Sequence, residues 1–143
     1  MAGFQDKFMS SNEKLAREKT RQIKLGGVLI GGGAPISVQT MANTDTRDVK
    51  ASVESVKAFE RAGCDIVRFA VPDMAAAEAL ADIKKACPDM PLVADIHFDW
   101  RLAIKSIDAG VDGLRINPGN IGGKDKVFAV ANAAKARGIP IRI

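Results

Sequence analysis

The sequence contains few of the residues that most often carry out chemistry. Of its 143 residues, one is histidine, one is tryptophan, two are cysteine and none is tyrosine. The two cysteines, Cys64 and Cys87, match neither a CxxC metal or redox spacing nor a disulfide framework, which is typical of a reducing compartment. We therefore expect both to be core residues and predict no metal ligand in this chain.

The chain also lacks the segments that would direct it to a membrane or to nucleic acid. Residues 1–22 contain several acids and no apolar segment, which argues against a secretory signal. The net charge of +4 is mild, and lysine and arginine do not alternate with aromatic residues as a nucleic-acid-binding surface requires. With 47% hydrophobic and 27% charged residues, the composition predicts one globular domain, whose charge suggests at most an anionic small ligand. The polar N-terminus and the unpaired cysteines favour a cytoplasmic protein.

What is present is a regular alternation of short apolar runs and amphipathic segments. The runs that we predict to be strands are residues 36–41, 65–71, 91–96, 113–117 and 141–143. Four helices are predicted between them, the first preceded by capping residues at Thr44, Asp45 and Thr46. Because the period is about 25 residues and no GxGxxG follows the first strand, we expect the α/β fold of a (β/α)8 TIM-type barrel.

Five strands and four helices are only the first part of such a barrel, and a hairpin is predicted before them. Gly26 and Gly27 separate two short apolar runs, a spacing typical of a two-residue β-turn. We expect residues 1–35 to form a polar leader and this hairpin. Residues 36–143 are expected to form a partial barrel that is truncated after strand 5.

An internal repeat places arginines at equivalent positions. Residues 62–68 align without a gap with residues 109–115, so that Arg68 corresponds to Arg115. Since side chains alternate along a strand, these two arginines and Arg142 fall on the polar faces of their strands, near the C-terminal ends. Three guanidiniums in one pocket repel each other unless an anion with several oxygens joins them, so the pattern favours phosphate or diphosphate.

Further polar residues are predicted at the same end of the barrel. Asp95 and His97 share one face of strand 3, where His97 could act as an acid, a base or a ligand contact. Asn117 begins a glycine-rich loop, residues 117–123, whose N–H groups and following helix N-terminus could bind an anion. Alternatively, Asp95 neutralises one arginine in an ordinary ion pair and His97 is structural.

Several longer motifs are specific enough to be compared with known families. They are GGGAPISVQ (31–39), TDT (44–46), VPD (71–73), ADIHFD (94–99), LRINPGNIG (114–122) and GIPIRI (138–143). In this order they closely resemble the N-terminal barrel portion of the 4-hydroxy-3-methylbut-2-enyl diphosphate synthase family, iron–sulfur enzymes of the non-mevalonate isoprenoid pathway. The likeness covers residues 20–143.

The resemblance implies an oxidoreductase that opens 2-C-methyl-D-erythritol 2,4-cyclodiphosphate with loss of water. Two electrons would come from ferredoxin or flavodoxin through a [4Fe–4S] cluster. The residues that it implies for binding the cyclodiphosphate are Arg68, Arg115 and Arg142, with Asn117, His97 and Asp95 completing the polar floor. The family's cluster cysteines and catalytic carboxylate lie beyond strand 5, so the chain is expected to be inactive alone, and the full-length protein to be a homodimer.

Two other functions remain open from the sequence. The chain could be a non-catalytic phosphate-binding half-barrel that completes its sheet by dimerising, which its size in solution would reveal. It could also be another phosphate-handling barrel, of the pteroate-synthase or aldolase type. Binding of a pteridine in preference to the cyclodiphosphate would favour the latter.

Overall fold

Four helices alternate with the strands of a parallel sheet in the computed structural model, which describes residues 16–143. The strands are β1 (Ile23–Leu25), β2 (Val28–Ile30), β3 (Gln39–Met41), β4 (Ile66–Ala70), β5 (Leu92–Ile96), β6 (Gly113–Ile116) and β7 (Ile141–Arg142). The helices are α1 (Val49–Arg61), α2 (Met74–Ala86), α3 (Trp100–Asp108) and α4 (Lys124–Arg137). None of these helices is long and apolar enough to cross a membrane.

The sheet order identifies the architecture. Strands β1 and β2 pair antiparallel as a hairpin, and β3 to β7 form a five-stranded parallel sheet in the order of the sequence. A doubly wound sheet would reverse its strand order partway, whereas a barrel adds each strand beside the last. The predicted α/β class, with five parallel strands and four helices after a hairpin, is confirmed. The predicted polar leader lies largely outside the described residues.

The main core lies between the helices and one face of the sheet. Val67 and Phe69 of β4 are fully buried there, against Leu80 and Ile83 of α2 and neighbouring apolar residues. Full burial of one such side chain contributes about 1.5–3 kcal/mol. The helices cover this face, so the polar residues of the strands are directed to the other face.

Aspartates determine where the first three helices begin. The side chains of Asp48, Asp73 and Asp99 accept hydrogen bonds from backbone N–H groups in the first turns of α1, α2 and α3. The prediction that residues 44–46 cap the first helix is wrong. Thr46 is instead buried, and its hydroxyl donates to the carbonyl of Ala70 at 2.6 Å, which ties the loop after β3 to the end of β4.

The hairpin packs on the inner face of the sheet, near the N-terminal ends of the strands. Leu25 forms a second apolar cluster there with Ile66 and Val93. Gly113 permits this approach, because a Cβ atom at that position would lie 3.0 Å from Leu25 Cδ1. The hairpin therefore covers the inner face near the N-terminal ends of the strands and leaves their C-terminal ends open.

The first strand of the sheet is shorter than predicted. Residues 36–41 were expected to be extended and paired, but the strand comprises only Gln39–Met41. Ile36 and Val38 are 51% and 55% exposed. This strand is at the edge of the sheet and pairs only with β4. Because its first residues are exposed to solvent, no burial of their side chains favours a longer strand. The other four strands lie within their predicted limits, shorter by one residue at one or both ends.

Candidate anion-binding site

The internal repeat produces the same backbone course twice. Gly63 and Gly110 have φ values of 86° and 91°, a left-handed conformation that lets the chain turn from a helix into the next strand. Each glycine lies five residues before an arginine of the sheet, Arg68 or Arg115. The two arginines therefore occupy equivalent positions on β4 and β6.

The register of the ladder shows how the polar residues are arranged. Asp95 of β5 pairs with Arg115 of β6, and Arg115 pairs with Arg142 of β7. Residues paired in this way point to the same face of the sheet. Arg68 pairs with Val93, two residues before Asp95, so its backbone lies on the same face but two residues nearer the N-terminal end of the sheet. The three arginines thus share one face, with Arg115 and Arg142 nearer the C-terminal ends of the strands than Arg68.

Asp95 lies at the centre of this cluster. It is 2% exposed, its Oδ1 atom accepts a hydrogen bond from Arg115 Nη1 at 3.3 Å, and its Oδ2 atom lies 3.3 Å from Arg68 Nε. The Arg68 Nε atom is buried and lacks hydrogen-bond geometry to any described atom. Because a buried carboxylate needs positive partners, Asp95 holds two guanidiniums together. Asp95 thus contacts two arginines, whereas the alternative drawn from the sequence paired it with one.

His97 approaches the same carboxylate from the end of β5. Its Nε2 atom lies 3.4 Å from Asp95 Oδ2, and its side chain is 45% exposed. The pair is ionic only when the imidazole is protonated. Since the carboxylate lies beside Nε2, it helps to fix the ring orientation while the ring remains accessible to a ligand.

Arg142 differs from the other two arginines. It is exposed, and within the described part of the chain it makes no ion pair and no side-chain hydrogen bond. Arg142 is nevertheless adjacent to Arg115 in the ladder. The cluster therefore has three guanidiniums for one carboxylate, and this excess of positive charge favours an anion at the C-terminal end of the strands.

Some N–H groups of the glycine-rich loop after β6 already form hydrogen bonds within the loop. Asn117 accepts from Gly119 N through its side-chain Oδ1 at 3.0 Å and from Asn120 N through its backbone carbonyl at 2.9 Å. These two N–H groups are consequently engaged within the loop, contrary to the expectation that the whole loop offers them to a ligand. The side-chain NH2 group of Asn117 and the N–H groups of α4 that precede Lys126 are further donors, whereas Lys126 N and Val127 N already donate to Gly123 O at 3.0 and 3.2 Å.

A salt-bridged group lies on the two loops that precede α1 and α2. Arg47 contacts Asp45 Oδ2 at 2.7 Å and Asp73 Oδ2 at 3.1 Å. Hydrogen bonding from Arg47 lowers the pKa of Asp45 to about 2. Arg47 therefore links the loop after β3 to the N-terminus of α2 at the open end of the strands. Sequence reasoning missed this link, because no local pattern relates residues 47 and 73.

The cysteines do not fit a metal or cluster site. Among residues 16–143 no three His, Cys, Asp or Glu side chains lie together as a metal site requires. The Cys64 thiol contacts the carbonyl oxygens of Val38 and Ile66 at 3.4 and 3.1 Å, and Cys87 is buried at the end of α2, where desolvation raises its pKa. Cluster ligands are thiolates, which burial of this kind disfavours.

Sequential parallel strands with helices between them are typical of a TIM-barrel-type domain, and the arginine cluster at their C-terminal ends is its candidate anion site. Residues 20–143 match the family model described as the GcpE TIM-barrel domain, and the chain belongs to this family. The resemblance drawn from the sequence motifs is thereby confirmed.

Curated relatives agree with this assignment. The chain is 58% identical over 129 residues to a protein of Ruminiclostridium cellulolyticum, covering 90% of the chain and 36% of the relative. It is 58% identical over 132 residues to a protein of Bacillus cereus strain B4264, covering 92% of the chain and 35% of the relative. Both are named 4-hydroxy-3-methylbut-2-en-1-yl diphosphate synthase (flavodoxin). The chain thus spans only about a third of their length.

A solved structure supports the fold. It is described as a 4-hydroxy-2-oxoglutarate aldolase/2-deydro-3-deoxyphosphogluconate aldolase from TTHB1, and it matches 73% of the chain and 46% of its own length with a TM-score of 0.50. The sequence identity is 20%, so the likeness concerns the fold alone.

Proposed function

We propose that the chain forms the diphosphate-binding part of an oxidoreductase of isoprenoid biosynthesis. The reaction is the reductive conversion of 2-C-methyl-D-erythritol 2,4-cyclodiphosphate to 4-hydroxy-3-methylbut-2-enyl diphosphate, with flavodoxin or ferredoxin as the electron donor. One observation carries the proposal: Arg68 and Arg115 converge on the buried Asp95, with Arg142 beside them and free of ion pairs in the described residues. Membership of the family and the names of the relatives support it.

Some of these residues bind the substrate directly, and others hold the binding residues in position. Arg142 and the exposed part of Arg115 bind the diphosphate oxygens, because a guanidinium pairs with two such oxygens at once. Arg68 is more buried and adds positive charge from below. His97 and the Asn117 amide provide further donors, and Asp95 keeps the arginines oriented before the substrate arrives.

Electron transfer is assigned to sequence outside this region. A [4Fe–4S] cluster, which the family resemblance implies, would pass on the two electrons of flavodoxin or ferredoxin, and Cys64 and Cys87 do not fit as its ligands. Residues 16–143 therefore bind and orient the cyclodiphosphate, and the chain alone is expected to show no reductase activity. A homodimer of the full-length protein, a cytoplasmic location and a domain boundary near residue 35 stay predictions.

Calorimetric titration of the chain with the cyclodiphosphate tests the proposal. Arg115→Gln and Arg142→Gln should each weaken binding by about tenfold or more, since each removes a charge-assisted hydrogen-bonding group worth about 1.5–3 kcal/mol. Arg137→Gln is the matched control, because Arg137 is 58% exposed and lies on a helix, paired with Asp108. Its affinity should stay within about twofold of the unsubstituted chain.

Two outcomes would contradict the proposal. Equal affinity in all three variants would show that the arginine cluster is not the binding site. Preference for a pteridine over the cyclodiphosphate would assign the chain to another class of phosphate-handling barrel.

A further inference from the structure

Two aspartates occupy equivalent places in the repeat, at the end of the strands opposite the anion site. Asp65 immediately precedes β4 and Asp112 immediately precedes β6. Each lies three residues before the arginine of its strand, Arg68 or Arg115. Neither aspartate belongs to the arginine cluster, so the proposed binding role does not account for them.

Both aspartates make the same pair of hydrogen bonds to the neighbouring strand. Asp65 N donates to Val38 O at 2.8 Å, while Val38 N donates to Asp65 Oδ2 at 2.7 Å. Asp112 N donates to Leu92 O at 2.9 Å, while Leu92 N donates to Asp112 Oδ2 at 2.8 Å. Each aspartate thus holds both backbone groups of one residue at the start of the adjacent strand. We call this arrangement the aspartate clamp.

The clamp acts on the register of the strands. Moving a strand by one residue relative to its neighbour sends every side chain to the opposite face of the sheet. The arginine lies three residues beyond the clamp, roughly 10 Å along the strand. In the pairing of β3 with β4 the ladder has only three residue pairs, and Arg68 is in the last of them, opposite Met41. The clamp at Val38 extends this short ladder at its other end.

The third arginine provides an internal comparison. The position three residues before Arg142 is Ile139, which has no side-chain acceptor for such a clamp. Arg142 is also the arginine that is exposed and makes no ion pair with the described residues. The two clamped arginines are those whose guanidiniums meet at one buried carboxylate, where the required precision is greatest.

We propose that Asp65 and Asp112 are positioning residues of the anion site. Asp112 holds Arg115 on β6 in register with Asp95 on β5, and Asp65 fixes β4, the strand that carries Arg68, against β3. This inference rests on the proposed function, because it takes the arginine cluster to be a diphosphate site. Losing a clamp lets the strand end adopt other pairings, and only the fraction with the native pairing binds the anion well.

Titration of the 143-residue chain with inorganic pyrophosphate, together with thermal unfolding, tests the inference. Asp65→Ala and Asp112→Ala should each raise Kd by about threefold to tenfold. This change corresponds to the net free energy of one hydrogen bond, whose loss lowers the fraction of molecules with the native strand pairing that binds. Asp112→Asn keeps one side-chain oxygen as the acceptor for Leu92 N, so it should restore most of the affinity.

Lys84→Met is the matched control for a purely structural effect. Lys84 Nζ contacts Asp112 Oδ2 at 2.8 Å and Met90 O at 3.0 Å, so the variant removes the ion pair but leaves the clamp. It should lower Tm while Kd stays within about twofold. If the two alanine variants also lowered Tm with unchanged Kd, the aspartates would only stabilise the fold and the inference would be overturned.

A second measurement uses the unsubstituted chain without any ligand, so its result does not depend on whether a variant folds or whether pyrophosphate binds. Amide hydrogen exchange at Val38 and Leu92 in the unsubstituted chain should be as slow as in the centre of β5, because the clamp closes both groups. Exchange as fast as that of exposed loops would overturn the inference. Protected amides in a chain that does not bind pyrophosphate would support the clamp and count against the proposed function instead.

Discussion

Replacing Asp95 with asparagine tests the charge balance of the arginine cluster. The variant keeps the size of the side chain but removes the one negative charge that lies between Arg68 and Arg115. Two guanidiniums, 24% and 35% exposed, are then left facing each other without their counter-ion. The fold should lose stability, and an added anion should restore it.

The size of the loss follows from the burial of the three groups. Breaking a fully buried ion pair costs about 3–5 kcal/mol. Both contacts here are 3.3 Å long and the arginines retain access to water, so we expect about 2–3 kcal/mol. For a domain of this size that corresponds to a fall in Tm of about 6–12 °C.

Thermal unfolding with and without pyrophosphate measures both parts of the prediction. A ligand at 100 times its Kd stabilises a protein by about 2.7 kcal/mol. Because the anion replaces the missing carboxylate charge, pyrophosphate should raise the Tm of Asp95→Asn more than that of the unsubstituted chain. Asp108→Asn is the control, since Asp108 pairs with Arg137 at 3.5 Å on an exposed surface and should change stability by less than about 0.5 kcal/mol.

Two results would refute this reasoning. A Tm within about 2 °C of the unsubstituted chain would mean that Asp95 does not hold the arginines together. Equal stabilisation of both proteins by the same concentration of pyrophosphate would mean that the bound anion does not respond to the charge of the Asp95 carboxylate.

Three further predictions concern the surroundings of the site. Gly113→Val should destabilise the chain by about 1–3 kcal/mol in denaturant unfolding, because its side chain would collide with Leu25, and adding Leu25→Ala should recover part of the loss. Thr46→Val should cost about 1–2 kcal/mol by removing the donor to Ala70 O, whereas Thr46→Ser should retain most of the stability. The pKa of Asp45 is lowered to about 2 by Arg47, so its stabilising contribution is present above about pH 4 and is lost as the pH falls towards 2. The stability difference between Asp45→Asn and the unsubstituted chain, followed by unfolding at each pH, should therefore shrink over that range; a constant difference would contradict it.

The sequence by itself determined the alternation of strands and helices, the parallel sheet and the family. These features depend on local pattern: apolar residues at strand or helix spacing, and glycines such as Gly63 and Gly110 where the chain must turn with positive φ. Parity along each strand also placed the arginines on one face, since alternation of side chains is a property of the strand alone.

Only the tertiary structure decided how those residues meet. The register between strands brings Asp95 to both Arg68 and Arg115 and leaves Arg142 without an ion pair in the described residues, and no local pattern in the sequence sets that register. In the loop after β6 the N–H groups of Gly119 and Asn120 bond to Asn117, which depends on the path of the backbone. Distances between side chains on different strands are set by pairing, burial and competition for hydrogen bonds, all of which involve residues far apart in the chain.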